Sequence, residues 1–123
     1  MNDIRCKRVY ECPEDMDGKR ILVDRLWPRG ISKRTAQIDG WEKDIAPSTN
    51  LRKWFSHDPE RYESFSAQYI LELDANPYAD DFLDALRQKL KTEDVTFLYA
   101  AKDVAHNHAL ILRDWAKERL RQE

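Results

Sequence analysis

Five side chains of this sequence could do chemistry on a charged ligand. Arg25, Arg29 and Lys102 are suited to hold an anion, because guanidinium and ammonium groups make charge-assisted hydrogen bonds to phosphate and carboxylate oxygens. Asp103 and His108 are suited to move a proton, since a carboxylate and an imidazole are the usual acid–base groups near neutral pH. Asn107 adds a polar group beside His108, and Trp27 adds an aromatic face. None of their spacings matches a phosphate-binding loop or a dinucleotide fingerprint. Each has a structural alternative. Arg25 can pair with an acid on a neighbouring strand, Asp103 can cap a helix, and Trp27 and Trp54 can belong to the core. His106 and His108 lie two apart on a helix and cannot share a face, so they do not form a metal pair. Cys6 and Cys12 lack a C-x-x-C spacing and read as reduced thiols, and no metal site is expected.

The elements that must position these residues follow from periodicity and punctuation. Residues 4–10 alternate apolar and basic side chains, as a strand with one wetter face does. The run Ile21 to Trp27 reads as a second, more buried strand, and Trp27-Pro28-Arg29-Gly30 reads as a turn. Asp24 and Arg25, consecutive in such a strand, would point to opposite faces. A helix is expected from Ser48, with Leu51, Trp54 and Phe55 on one side. Asp58-Pro59-Glu60 then starts another, with the stripe Tyr62, Phe65, Tyr69, Ile70 and Leu73. Asn76-Pro77 ends that helix and starts the next, whose stripe is Phe82, Leu83, Leu86 and Leu90. Residues 95–101 form a buried strand. Asp103 is expected to cap a last helix with Ile111, Leu112, Trp115, Ala116 and Leu120 facing inward.

This order predicts an α/β fold: a single compact three-layer domain over residues 1–123, with a small, mostly parallel sheet flanked by helices. An antiparallel pairing of the first two strands is the alternative, because about ten residues are few for a helical crossover. In such sheets ligands bind beyond the carboxyl ends of the strands, near helix N-termini. That rule would bring the ends of the second and third strands together around one anion.

Composition narrows the function classes. The 123 residues include 13 aromatics, which is too many apolar anchors for a disordered chain. No apolar run is long enough to span a membrane, and no signal-like segment opens the chain, so a cytoplasmic protein is expected. The net charge of −2 argues against a broad nucleic-acid surface. It conceals an uneven distribution. Residues 19–34 hold six basic side chains and one acid, whereas residues 41–101 hold twelve acids and seven bases. The basic stretch overlaps the expected strand end, so a small anionic ligand bearing phosphate or carboxylate, nucleotide-like ligands included, is the favoured partner. Nucleic acid or an acidic protein is the less favoured one. A monomer and a homodimer both remain open.

Several segments carry a family resemblance. They are Cys6-Lys7-Arg8-Val9-Tyr10, Leu22 to Gly30 (L-V-D-R-L-W-P-R-G), Trp41, Ala46-Pro47-Ser48, Leu51-Arg52-Lys53-Trp54-Phe55, Leu98 to Asp103 (L-Y-A-A-K-D) and Asn107-His108-Ala109. Together they resemble the YeaO-like bacterial proteins, domain of unknown function 488, over nearly the whole chain. The resemblance implies a compact α/β bacterial cytoplasmic protein. Longer relatives carry a C-H-R-like triplet where this chain has Asn107-His108-Ala109. The histidine is kept, and the thiol and the arginine are not. The resemblance thus implies no thiol nucleophile here and leaves Arg25, Arg29, Lys102 and His108 for an anion site.

Overall fold

A computed structural model of the chain describes residues 2–122. Its centre is a four-stranded sheet built from β1 (Ile4–Arg8), β2 (Lys19–Leu22), β3 (Gly40–Trp41) and β4 (Val95–Tyr99), in the order β1-β4-β2-β3. Every pairing is parallel, running Ile4↔Val95 to Arg8↔Tyr99, Lys19↔Val95 to Leu22↔Leu98, and Ile21↔Gly40 with Leu22↔Trp41. β4 is buried at all five positions, as a central parallel strand must be. The antiparallel alternative for the first two strands is overturned. β1 and β2 are not neighbours, and the segment joining them carries only a 3-10 turn, Asp15–Asp17, on its way past the place that β4 fills.

Alternation along the strands sorts the core into two layers. Ile4, Ile21, Val23, Val95, Phe97 and Tyr99 face the long helices α2 (Thr49–Phe55), α3 (Tyr62–Ala75), α4 (Ala79–Leu90) and α5 (His108–Arg121). Leu22 and Leu98 face the other way, toward Val9 and Ala36 of the short helix α1 (Lys33–Ala36). The second layer is therefore thin. It is completed by a charged cluster rather than by apolar bulk. Asp17 takes the Arg20 guanidinium at 2.5 Å and the Lys7 ammonium at 3.2 Å, and its own carbonyl accepts the Thr96 hydroxyl at 2.7 Å. Arg20 spends its remaining donors on the Ala36 carbonyl, so this buried charge is both paired and hydrogen-bonded.

The helices start where local signals put them. Ser48 caps α2 through Leu51 N–H, and Asp58 caps the Pro59–Arg61 turn that runs into α3. Phe82, Leu83, Leu86 and Leu90 are all buried on α4. Local expectations are corrected at the end of β2, at Ile70 and at Asp103, and one strand not foreseen is added. β2 ends at Leu22, so Asp24 to Trp27 lie in a loop and strand geometry does not separate Asp24 from Arg25. β3 is an edge strand too short to leave a periodic pattern. Ile70 of α3 points outward, at 37% exposure. Asp103 does not cap the last helix. Asn107 does, its side chain accepting the Leu110 N–H. The Trp27–Pro28 peptide is trans.

Candidate functional site

The chain leaves β2 toward α1 on one face of the sheet and leaves β4 toward α5 on the other. These adjacent strands therefore part at their carboxyl ends, which is the switch point where open α/β sheets form a crevice. Asp24 and His108 meet there. His108 Nε2 lies 2.9 Å from the Val23 carbonyl and 3.1 Å from Asp24 Oδ1. Both neighbours are acceptors, so Nε2 carries the ring hydrogen. That hydrogen is aimed at Val23, and the buried Oδ1 is left in charge contact with the ring but without a hydrogen bond. The other carboxylate oxygen of Asp24 accepts the Ala100 N–H at 3.0 Å and so ties the end of β2 to the end of β4.

Aromatic side chains from α3 wall this crevice. Tyr69 is fully buried, stands edge-on to the His108 ring at 6.3 Å, and donates to the Ile45 carbonyl at 2.6 Å. Burial holds its phenol well above the ordinary range, so it serves as a donor and not as a base. Tyr62 donates to the Asn107 carbonyl at 2.8 Å, and burial raises its phenol to about 12. These bonds fix the start of α5. The N–H groups of His108 and Ala109, first in the helix, meet no acceptor among the described residues.

The residues singled out from the sequence are distributed as follows. His108 stands in the crevice. Arg25 lies beside it, but its Nε and Nη2 donate to the carbonyls of Pro47 and Ala46 at 3.1 and 3.0 Å. It lines a cavity of about 340 Å³ together with Ser48, Tyr69 and Glu72. Arg29 and Lys102 are exposed. Asp103 accepts the N–H groups of Ala105 and His106 and contacts His106 Nδ1 at 2.9 Å. The Ala105 N–H and the His106 side chain hold its carboxyl below the ordinary range. Asn107 is buried and fully used, its amide donating to the Asp103 carbonyl while its oxygen caps α5. Trp27 donates its indole N–H to the Ile31 carbonyl and meets Trp41 edge-on at 5.4 Å. Asp24 and Tyr69 are not among the site residues expected from the sequence. Asp24 could have been singled out as the charge that directly follows the apolar run Ile21-Leu22-Val23, and Tyr69 reads as one member of a core stripe.

The fold and crevice define a parallel α/β protein with an Asp–His pair at a helix N-terminus. A family described as "Inactive DUF488-N3 subclade" matches residues 3–123, and the chain belongs to this YeaO-like DUF488 family. It is 46% identical over 115 residues to the uncharacterized protein YeaO of Escherichia coli, covering 94% of this chain and 97% of that protein. It is 41% identical over 109 residues to the uncharacterized protein Rv3073c of Mycobacterium tuberculosis, covering 89% of each. No solved structure matches the chain. No helix among the described residues is long and apolar enough to cross a membrane.

Proposed function

We propose that this protein binds a small anion-bearing ligand in the crevice between the ends of β2 and β4, without thiol catalysis. The observation that carries this reading is His108. It sits in the first turn of α5, held by Val23 and Asp24, and its own backbone N–H has no acceptor among the described residues. A helix N-terminus concentrates partial positive charge, and free N–H groups there are natural donors to an oxyanion. The description of the family as inactive supports binding over turnover. So does the local packing: Asn107 is spent as a helix cap and Ala109 is fully buried, at the positions where the C-H-R-like triplet would carry its thiol and arginine.

The alternative is a module for nucleic acid or an acidic protein. It rests on the basic stretch 19–34, and much of that charge is not available. Arg20 is buried against Asp17, Arg25 is bound to two carbonyls, and Lys19 faces Glu93 at 3.8 Å. Small-anion binding is therefore the better reading.

The test is thermal unfolding in inorganic phosphate and small carboxylates. A ligand at ten times its Kd stabilises the fold by about 1.4 kcal/mol, or about 4 °C for a chain of this size. His108→Ala should abolish the shift. Arg29→Ala and Lys102→Ala should reduce it only partly, since both side chains are exposed. No shift with any of these anions, or a shift that persists in His108→Ala, overturns the reading.

A further inference from the structure

We propose that a separate groove, between Trp27 and Trp41, binds a nucleoside monophosphate. The groove has a volume of about 440 Å³ and is lined by Trp27, Lys33, Ile38, Asp39, Gly40 and Trp41. Such a volume is within the usual range for small-molecule sites. Its main feature is an aromatic corner. The two indole rings are 5.4 Å apart at an angle of 72°. Both indole N–H groups are already committed to backbone carbonyls, Trp27 to Ile31 at 2.8 Å and Trp41 to Asp24 at 2.7 Å. The polar edges are thus pinned; the Lys43 ammonium lies over the Trp41 ring at 5.4 Å but does not line the groove, which leaves the groove side of the aromatic corner for contact. Trp41 keeps 38% of its surface exposed, so part of its ring is open to a ligand.

The polar lining selects among planar rings. Lys33 is exposed and has no ion-pair partner among the described residues, so its ammonium is available for a phosphate. Asp39 accepts the Arg20 N–H through one carboxylate oxygen, which fixes the side chain and leaves the second oxygen to accept from a ribose hydroxyl or a base amine. An aromatic corner, one free cation and one fixed acceptor match a base, a phosphate and a sugar. A neutral aromatic would leave Lys33 unused, and a sugar phosphate would leave the indole faces uncovered.

Isothermal titration with AMP, adenosine and ribose 5-phosphate tests this. AMP should bind at least about tenfold tighter than ribose 5-phosphate, because base stacking contributes that much. Trp41→Ala should weaken AMP about tenfold. Lys33→Glu, a surface change that leaves the fold intact, should weaken AMP about tenfold and leave adenosine unchanged. His108→Ala should leave AMP binding in this groove unaltered, which separates it from the crevice. The proposal is overturned if AMP gives no saturable heat up to about 10 mM, if AMP and ribose 5-phosphate bind alike, if Lys33→Glu has no effect, or if His108→Ala abolishes AMP binding.

Discussion

Asp17 shows how much one carboxylate can hold together. Burial alone would push its carboxyl up, but the Glu14 N–H, Lys7 and Arg20 outweigh it, and the net shift is below the ordinary value of 3.8. A carboxyl depressed on folding contributes stability that is present above its unfolded value and lost as pH falls through its folded value. The unfolding free energy should therefore fall as pH drops below about 4. Asp17→Asn should flatten that dependence and cost about 3 kcal/mol at neutral pH, because Arg20 is left buried without its partner. Urea denaturation of both proteins between pH 3 and 7 checks this, and equal pH slopes would count against it. Nothing in the sequence announces this cluster. Arg20 sits in a stretch whose composition suggests a basic surface, and only the sheet order turns it under the fold. The same holds for Asp24, whose partner His108 lies 84 positions away along the chain.

At the scale of elements, the helices, three of the four strands and the parallel character of the sheet were legible, and the order of the strands was not. A helix cap is a local event, so Ser48 and Asp58 announce their helices in a few residues. Asp103 and Asn107 compete for the same role four positions apart. The structure resolves the contest by giving Asp103 a turn and Asn107 the helix. Asn107→Ala should lower stability by about 1–2 kcal/mol, since it removes the cap and leaves buried backbone groups unmatched. Chemical denaturation checks it, and a change under about 0.5 kcal/mol would contradict the assignment. Strand order depends on pairings between residues about 75–90 positions apart, and the two residues of β3 carry no period at all. Gly18 marks one such long-range constraint. Its φ is +65°, and a Cβ there would lie 2.0 Å from the Asp94 carbonyl oxygen. Gly18→Ala should cost more than about 2 kcal/mol by the same measurement, as both the backbone conformation and the contact are lost.

At the scale of the molecule, the two thiols report on the whole fold. Cys12 is exposed, whereas Cys6 lies between β1 and α5 with its Sγ donating to the Ala109 carbonyl at 3.4 Å. Burial raises the Cys6 thiol from 9.0 to about 11. Alkylation of the native protein should modify one thiol promptly and the second only at the rate of unfolding. Prompt modification of both would show that α5 is not seated as described. The sign of the shift also predicts weakening in alkali. The unfolded thiol ionises first, so stability falls as pH rises from about 9 toward about 11.

The placement of β4 has a consequence for how the chain comes off the ribosome. It is the fourth strand in sequence and an inner strand in space, bonded to β1 on one side and to β2 on the other. Until residues 95–99 emerge, β1 has no partner, and β2 has only the two-residue β3. The helices made in between have no sheet to cover. A nascent chain, growing at about 5–20 residues per second, therefore carries this future core exposed until β4 emerges. On this strand order the sheet closes only once β4 has emerged, so the fold is acquired late.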